Sequence, residues 1–219
     1  MDKKETRQPA DRGEAFLQWI NQHQRALIIA GAVVVVIAGG IWFTIAAKER
    51  KNSLAMQALD EARTAAQAGN LPLAASDFSR LISRYPGTNA AGEASLLLGQ
   101  IHLLQNQPKD AATELRKYIA SGPPTQYVSE AHELLGSALE ETGDLKGAAQ
   151  EYEQAAKTSY YKLVQADLWI RAGRAYQMAK DTAAAITAYQ KVVKDYSNTG
   201  SMAEAQLRLA ELGRFDTQG

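Results

Sequence analysis

GDLKGAAQEYEQAA, residues 143–156, opens on a Gly-Asp turn signal and continues with small and large residues at helical spacing. Ala148, Tyr152 and Ala155 lie four and three residues apart, which places them on one face of a helix. The pattern returns along the chain. Ala74, Ala111, Ala148 and Ala185 are spaced 37 residues apart, and each is followed four positions on by a large residue: Phe78, Leu115, Tyr152 and Tyr189. A second set, Ala62, Gly99, Gly136, Gly173 and Ala210, keeps the same interval. Fixed self-similarity with a period of ~20–50 residues marks stacked structural units. One such unit cannot bury its apolar face alone, so stacking makes the core and leaves a long surface for binding.

Breaks fall where this reading needs them. Gly69-Asn70, Asn106-Gln107-Pro108, Gly143-Asp144 and Lys180-Asp181 separate the helices within units. Tyr85-Pro86-Gly87, Gly122-Pro123-Pro124, Ser159-Tyr160 and Asn198-Thr199-Gly200 separate one unit from the next. Pro72 stands in the first turn of its helix, where a missing N–H costs little. A last helix, from about Met202 to Leu212, has no partner after it and reads as a cap. No stretch alternates with period 2 for long enough to predict a sheet.

The stretch from Gly143 to Ala156 resembles the second helix of a tetratricopeptide repeat. That motif runs large, small, large on helix A, then Ala, aromatic, Ala on helix B. Leu98-Gly99, Ala111 and Leu115 supply it in unit two; Leu135-Gly136, Leu139, Ala148, Tyr152 and Ala155 in unit three; Trp169, Gly173, Tyr176, Ala185 and Tyr189 in unit four. Unit one has Ala58, Ala62 and Ala65, then Ala74, Phe78, Leu81 and Pro86. The family period is about 34 residues, so roughly three more sit in each connection here. The expected fold is all-α: a helical-hairpin solenoid over residues 48–219, with four repeats and a capping helix. The motif residues read as packing, with the glycines and alanines setting close approach between helices.

Ahead of the repeats, ALIIAGAVVVVIAGGIWFTIAA, Ala26 to Ala47, is 22 residues without a charge. About 20 apolar helical residues span a bilayer core, so residues 26–47 are expected to form one transmembrane helix. Trp42 and Phe43 lie towards its far end, where aromatic rings favour the interface. Thr44-Ile45-Ala46 would pass as a cleavage site. Yet 25 residues precede the apolar run, and the run exceeds the ~7–15 apolar residues of a signal peptide. A retained single-pass anchor is the expectation. Residues 1–25 form an N-terminal tail: 1–13 read as disordered, and Glu14 to Arg25 as either a short juxtamembrane helix or the lead-in of a longer one. Lys3, Lys4, Arg7, Arg12 and Arg25 before the span balance Lys48, Arg50, Lys51 and Arg63 after it, so the positive-inside rule fixes no orientation.

The chain has 24 basic and 24 acidic side chains and a formal net charge of +0. Nucleic acid as a partner would call for a basic patch or a high pI. There is no cysteine, so disulfides, thiolate catalysis and cysteine-ligated zinc are excluded; a lipidated N-terminal cysteine is not expected either. The histidines are His23, His102 and His132. His132-Glu133 lacks the second histidine of the zinc-protease pattern, and neither a phosphate loop nor a Gly-x-Ser-x-Gly elbow occurs. No enzymatic activity, cofactor, metal or small-molecule substrate is expected. His102 and His132 fall at partly buried packing positions.

A protein-binding groove remains. The resemblance implies a concave surface lined mainly by the first helix of each unit. Aligning the units places Leu96, Gln100, Leu103 and Leu104 there from unit two, and Glu130, Glu133, Glu140 and Glu141 from unit three. Ile170 and Arg174 come from unit four, and Leu59 joins the apolar floor. An apolar floor beside an acidic stretch suits a partner segment bearing Lys or Arg and a few large apolar side chains. The short head FLQWINQHQRALI, one span and a helical-repeat domain resemble the ancillary subunit of the bacterial Sec translocon. That resemblance implies an inner-membrane protein with periplasmic repeats, whose partners are translocon subunits, periplasmic chaperones or client chains. SRYPGTNAAGEASLLLGQIHLL is similar instead to periplasmic repeat proteins of envelope assembly and division, which is the alternative function.

Overall fold

A computed structural model describes residues 11–213, which form nine α-helices and no strand. The chain divides into two compact parts, Met1–Arg50 and Lys51–Gly219. Helix α1, Asp11–Gln67, gives its residues up to Arg50 to the first part and the rest to the second. The expected disorder of residues 1–13 does not hold from Asp11 onward, where helix has begun; residues 1–10 lie outside the described ones. No break separates Glu14–Arg25 from the apolar run, so that stretch is the lead-in of a longer helix. Trp19–Gln67 contains a window long and apolar enough to cross a membrane, and none of that window is buried in the protein.

The second part is built from hairpins. After the end of α1 come α2 (Leu71–Arg84), α3 (Asn89–Leu104), α4 (Pro108–Ala120) and α5 (Thr125–Thr142). Then follow α6 (Leu145–Thr158), α7 (Lys162–Met178), α8 (Thr182–Asp195) and α9 (Ser201–Glu211). Each helix packs on the next from α2 to α9, and α3 also meets α5 as α7 meets α9. The four turns inside units are copies of one another. Gly69, Asn106, Gly143 and Lys180 all take positive φ, between 57° and 86°. Each sits at the end of a helix whose last carbonyls are closed by the same pair of bonds. In unit three, Gly143 N–H donates to Glu140 C=O at 3.1 Å and Asp144 N–H to Leu139 C=O at 2.9 Å. Such a left-handed residue satisfies the orphan carbonyls and reverses the chain. The next residue then caps the following helix: Asn70, Asp144 and Asp181 accept from the N–H three residues on. Gln107 makes no such cap; its amide oxygen meets His102 Nδ1 at 2.9 Å, and Pro108 opens α4 instead.

Small residues on the first helix of a unit admit large ones from the second. A Cβ built on Gly99 would come within 2.9 Å of Leu115 Cδ2, and one on Gly136 within 2.7 Å of Tyr152 Cε1. Gly173 is closed in the same way by Tyr189. Ala74, Ala111, Ala148 and Ala185 are fully buried, as the 37-residue register requires. Ala210, the last member of the other set, is exposed, and among the described residues no helix follows α9 to cover it. First helices are pressed from two sides, by their own partner and by the neighbouring unit. Accordingly α3 and α7 bury residues around most of their circumference, whereas α2 buries only Ala74, Phe78 and Leu81 on one stripe. Trp169 of α7 lies buried with Lys157 Nζ at 5.7 Å and Lys191 Nζ at 5.4 Å from its ring, so two cations from α6 and α8 hold its faces.

Gly136→Leu should lower the unfolding midpoint. The Cβ alone meets an aromatic ring boxed in by its own helix, and overpacking costs ~1–3 kcal/mol or more. An unchanged midpoint in urea unfolding would show that the helices do not approach closely there. A pH dependence also follows. Burial pushes the phenols of Tyr118, Tyr152 and Tyr189 up to about 12. Between the ordinary tyrosine pKa of ~10 and 12 the unfolded chain loses these protons while the native one keeps them. Stability is therefore full below pH ~10 and falls as pH rises towards 12. Thermal melts across that window, with tyrosinate absorbance followed in parallel, should show this loss; a flat profile would contradict the burial of these phenols.

Candidate functional site

Register positions along the first helices sort the predicted groove residues. Leu59, Leu96, Glu133 and Ile170 occupy equivalent places, 37 residues apart. Leu59 is fully buried, Leu96 is 2% exposed and Ile170 is 1% exposed. They belong to the core and do not line a groove: this face of the first helix meets the neighbouring unit. Glu133 is the polar member of a buried series. Its Oε1 is 3.2 Å from Arg171 Nη1 on α7, and Asp167 Oδ2 lies 3.3 Å from Arg171 Nε. A guanidinium shared by two carboxylates thus ties α5 to α7 and removes Glu133 from the free acidic surface.

A second register explains Glu140. Positions 66, 103, 140 and 177 are Ala, Leu, Glu and Gln; their partners at 78, 115, 152 and 189 are Phe, Leu, Tyr and Tyr. Tyr152 Oη donates to Glu140 Oε2 at 2.8 Å, and Tyr189 Oη meets Gln177 Oε1 at 3.2 Å. Where the second helix carries a phenol, the first supplies an acceptor; where it carries Phe or Leu, the first is apolar. A buried hydroxyl left unpaired would cost ~1–3 kcal/mol, so Glu140 serves the core. Leu103 likewise packs against the core from a half-buried position. His132 Nδ1 meets Glu151 Oε2 at 2.6 Å, a packing role that matches its predicted place.

Most of the predicted residues that remain open to solvent border two adjoining clefts. One, about 410 Å³, lies between α5 and the start of α7 and is lined by Gln100, Glu130, Glu133, Leu134, Tyr160, Tyr161 and Val164 among others. The other, about 380 Å³, is bounded by Gln100, Leu103, Leu104 and Glu141. Gln100 borders both. Of the predicted residues, Gln100, Leu103, Leu104, Glu130, Glu133 and Glu141 meet here; Arg174 is exposed but lines neither cleft. Leu104 is 71% exposed and forms an apolar step at the end of α3.

Sequence reasoning missed Tyr160 and Tyr161, residues that are 69% and 73% exposed. A signal was available. The same register holds Pro86-Gly87, Pro123-Pro124 and Ser197-Asn198 at the other breaks between units. Only this break carries two large aromatic residues, and Tyr161 stands at an N-cap, where Ser, Thr, Asp or Asn would serve the helix better. The turn is nonetheless held firmly: Ser159 is buried, and Gln165 Nε2 donates to its carbonyl at 2.6 Å.

A larger cleft of about 800 Å³ opens between α2 and α4 over the small residues Ala91, Gly92 and Ser95. Its rim carries both Glu114 and Lys117, so it selects no charge. The Tyr118 hydroxyl beside it is sealed from solvent and has no hydrogen-bond partner among the described residues. Among those residues no group of His, Asp or Glu could hold a metal ion.

A family model described as "Tetratricopeptide repeat-like domain" matches residues 17–214. No curated protein matches the chain. Among solved structures, two of MamA are similar. The first is 22% identical with TM-score 0.56, covering 71% of this chain and 86% of that one. The second is 23% identical with TM-score 0.56, covering 76% and 85%. A tetratricopeptide repeat protein from Parabacteroides merdae ATCC 43184 is 14% identical with TM-score 0.58, covering 72% of this chain and 58% of its own. At these identities the likeness is one of fold.

The two neighbouring acids of α5 should respond differently to truncation. Glu140→Ala removes the charged acceptor of the Tyr152 hydroxyl, leaving it only Ser137 Oγ at 3.2 Å, and should cost ~1–2 kcal/mol in unfolding free energy. Glu141→Ala touches only solvent and should leave stability within ~0.5 kcal/mol of the parent. Equal effects in urea unfolding would mean that the phenol-acceptor register has no energetic weight.

Proposed function

The chain belongs to the tetratricopeptide repeat-like domain family, whose fold is typical of non-enzymatic scaffolds for protein–protein interaction, and on that premise we propose that it is a membrane-tethered scaffold of the bacterial envelope. The observation that carries the tether is the exposure of its apolar run. Ile29, Val34, Val35, Val36, Trp42 and Phe43 all stand open, Val36 at 73%. Apolar surface of that extent has no stable place in water; a run of this length matches a bilayer core. The span holds the protein at the membrane, and the repeats offer the clefts of α3, α5 and α7 to a partner chain. On this reading the repeats face the periplasm and link the Sec translocon to periplasmic chaperones or emerging client chains. The head, span and repeat order supports it. Tethering raises the effective concentration of the groove beside membrane partners, so weak contacts suffice.

The test is photocrosslinking from Leu104, Glu141 and Tyr161 in native membranes, followed by identification of the captured chains. Translocon subunits or periplasmic chaperones are expected. Capture restricted to envelope-assembly or division proteins would transfer the scaffold to that setting. Absence of any captured protein from all three positions would remove the binding role of these clefts. The protein should also resist alkaline carbonate extraction, and protease added to spheroplasts should digest the repeats while cytosolic markers survive. Protection of the repeats would reverse the topology and exclude the periplasmic partners.

A further inference from the structure

Polar side chains at one register link neighbouring first helices, and one of these pairs has an amide where another has an arginine. Arg63 and Gln100 are register equivalents, as are Glu93 and Glu130. In the first pair the Arg63 guanidinium meets the Glu93 carboxylate across to α3. In the second, Gln100 Nε2 donates to Glu130 Oε1 at 3.4 Å, a long contact from a neutral amide. Glu130 is therefore an acid at a place where its counterpart is met by an arginine. The other nearby cation, Arg171, is engaged by Glu133 and Asp167. Partial burial, then the carboxylates of Glu133 and Glu93, push the Glu130 carboxyl above its ordinary range. The direction is the one that burial and neighbouring like charges impose on a carboxyl group.

The same cleft is walled by the two tyrosines that replace turn formers, with Val164 beside them and Leu163 exposed on the same turn. Tyrosine presents a large rigid face with little conformational entropy to lose, which is why it dominates interface hot spots. Its ring also attracts a cation laid across it. We propose that this cleft is the specificity pocket of the scaffold, taking a Lys or Arg side chain of an extended partner segment onto Glu130, with an adjacent large apolar side chain on Tyr160, Tyr161 and Val164. The partner's cation takes the place that Arg63 holds one unit earlier. The aliphatic stem of Lys or Arg lies along the rings while its head reaches the carboxylate. This inference rests on the scaffold reading and assigns the chemistry of its ligand.

The probe is a short fluorescent Gly-Ser peptide carrying one Phe and one Lys, titrated into the full chain in detergent micelles and read by anisotropy. Binding is expected, and it should weaken with added salt. Replacing the peptide's Lys by norleucine or Glu should abolish it. Glu130→Gln should weaken it about tenfold, the usual scale of a charge-assisted contact. Tyr161→Ser should weaken it comparably, and Asp110→Asn, an exposed acid on α4 outside both clefts, should leave it unchanged. Gln100→Arg supplies a cation from within, so it should block the Lys peptide while the helical circular dichroism stays at the parent value. No binding of the Lys peptide, equal binding of the norleucine or Glu peptide, or Glu130→Gln and Gln100→Arg without effect would each overturn the pocket. Failure here is distinct from failure of the scaffold. If only the pocket is wrong, Glu130→Gln and Gln100→Arg proteins still crosslink the same partners in the same amounts in native membranes; if the scaffold is wrong, the parent protein captures nothing.

Discussion

The repeat domain depends on how closely the two helices of a unit approach. Gly99, Gly136 and Gly173 carry no Cβ, so Leu115, Tyr152 and Tyr189 reach the backbone of the facing helix. That contact sets the separation within the hairpin. It also leaves the opposite side of each first helix free to meet the next unit, which is why α3 and α7 are buried on several faces. A larger residue at any of these glycines would push the hairpin apart and shift the stacking surface with it. Interiors are close-packed and do not absorb such shifts cheaply.

Placing phenols at that contact brings a polar demand into the core, and the chain meets it locally. Tyr152 and Tyr189 find acceptors at the end of their own first helix, on Glu140 and Gln177. Tyr176 donates to Glu153 at 2.9 Å, and Glu153 is held in turn by Lys157 at 2.9 Å. Many charges of units three and four are therefore spent within the fold. The acidic character of α5 is accordingly much smaller than its four glutamates imply. Glu133 and Glu140 are committed to Arg171 and Tyr152, while Glu130 and Glu141 are left to border the clefts.

Electrostatic complementarity of this residual kind gives register and selectivity more than raw affinity. A shallow cleft with one under-neutralised carboxylate and two aromatic walls suits brief contacts with many related segments. It does not suit a permanent complex, whose interface would bury a far larger area. A membrane tether of the proposed kind would complement such a surface, because confinement offsets weak individual contacts.

Period, helix boundaries and packing residues were legible in the order of amino acids, because each is a local or periodic property. Gly143-Asp144 encodes a left-handed turn and a cap wherever it stands, and a small residue recurring at fixed intervals declares a contact repeated in every unit. The apolar run from Ala26 to Ala47 was legible for the same reason: length and composition alone bear on its solvent. The groove was not. Leu96 and Ile170 look like any apolar residue of a first helix, and only the stacking of units determines that this face is covered while Leu104 is left open. Glu133, Glu140 and Glu130 are chemically alike in the sequence. Tertiary structure alone brings Arg171 to the first, Tyr152 to the second and only Gln100 to the third, because a side chain's partner across 12 to 38 residues is set by packing and not by its neighbours in the chain.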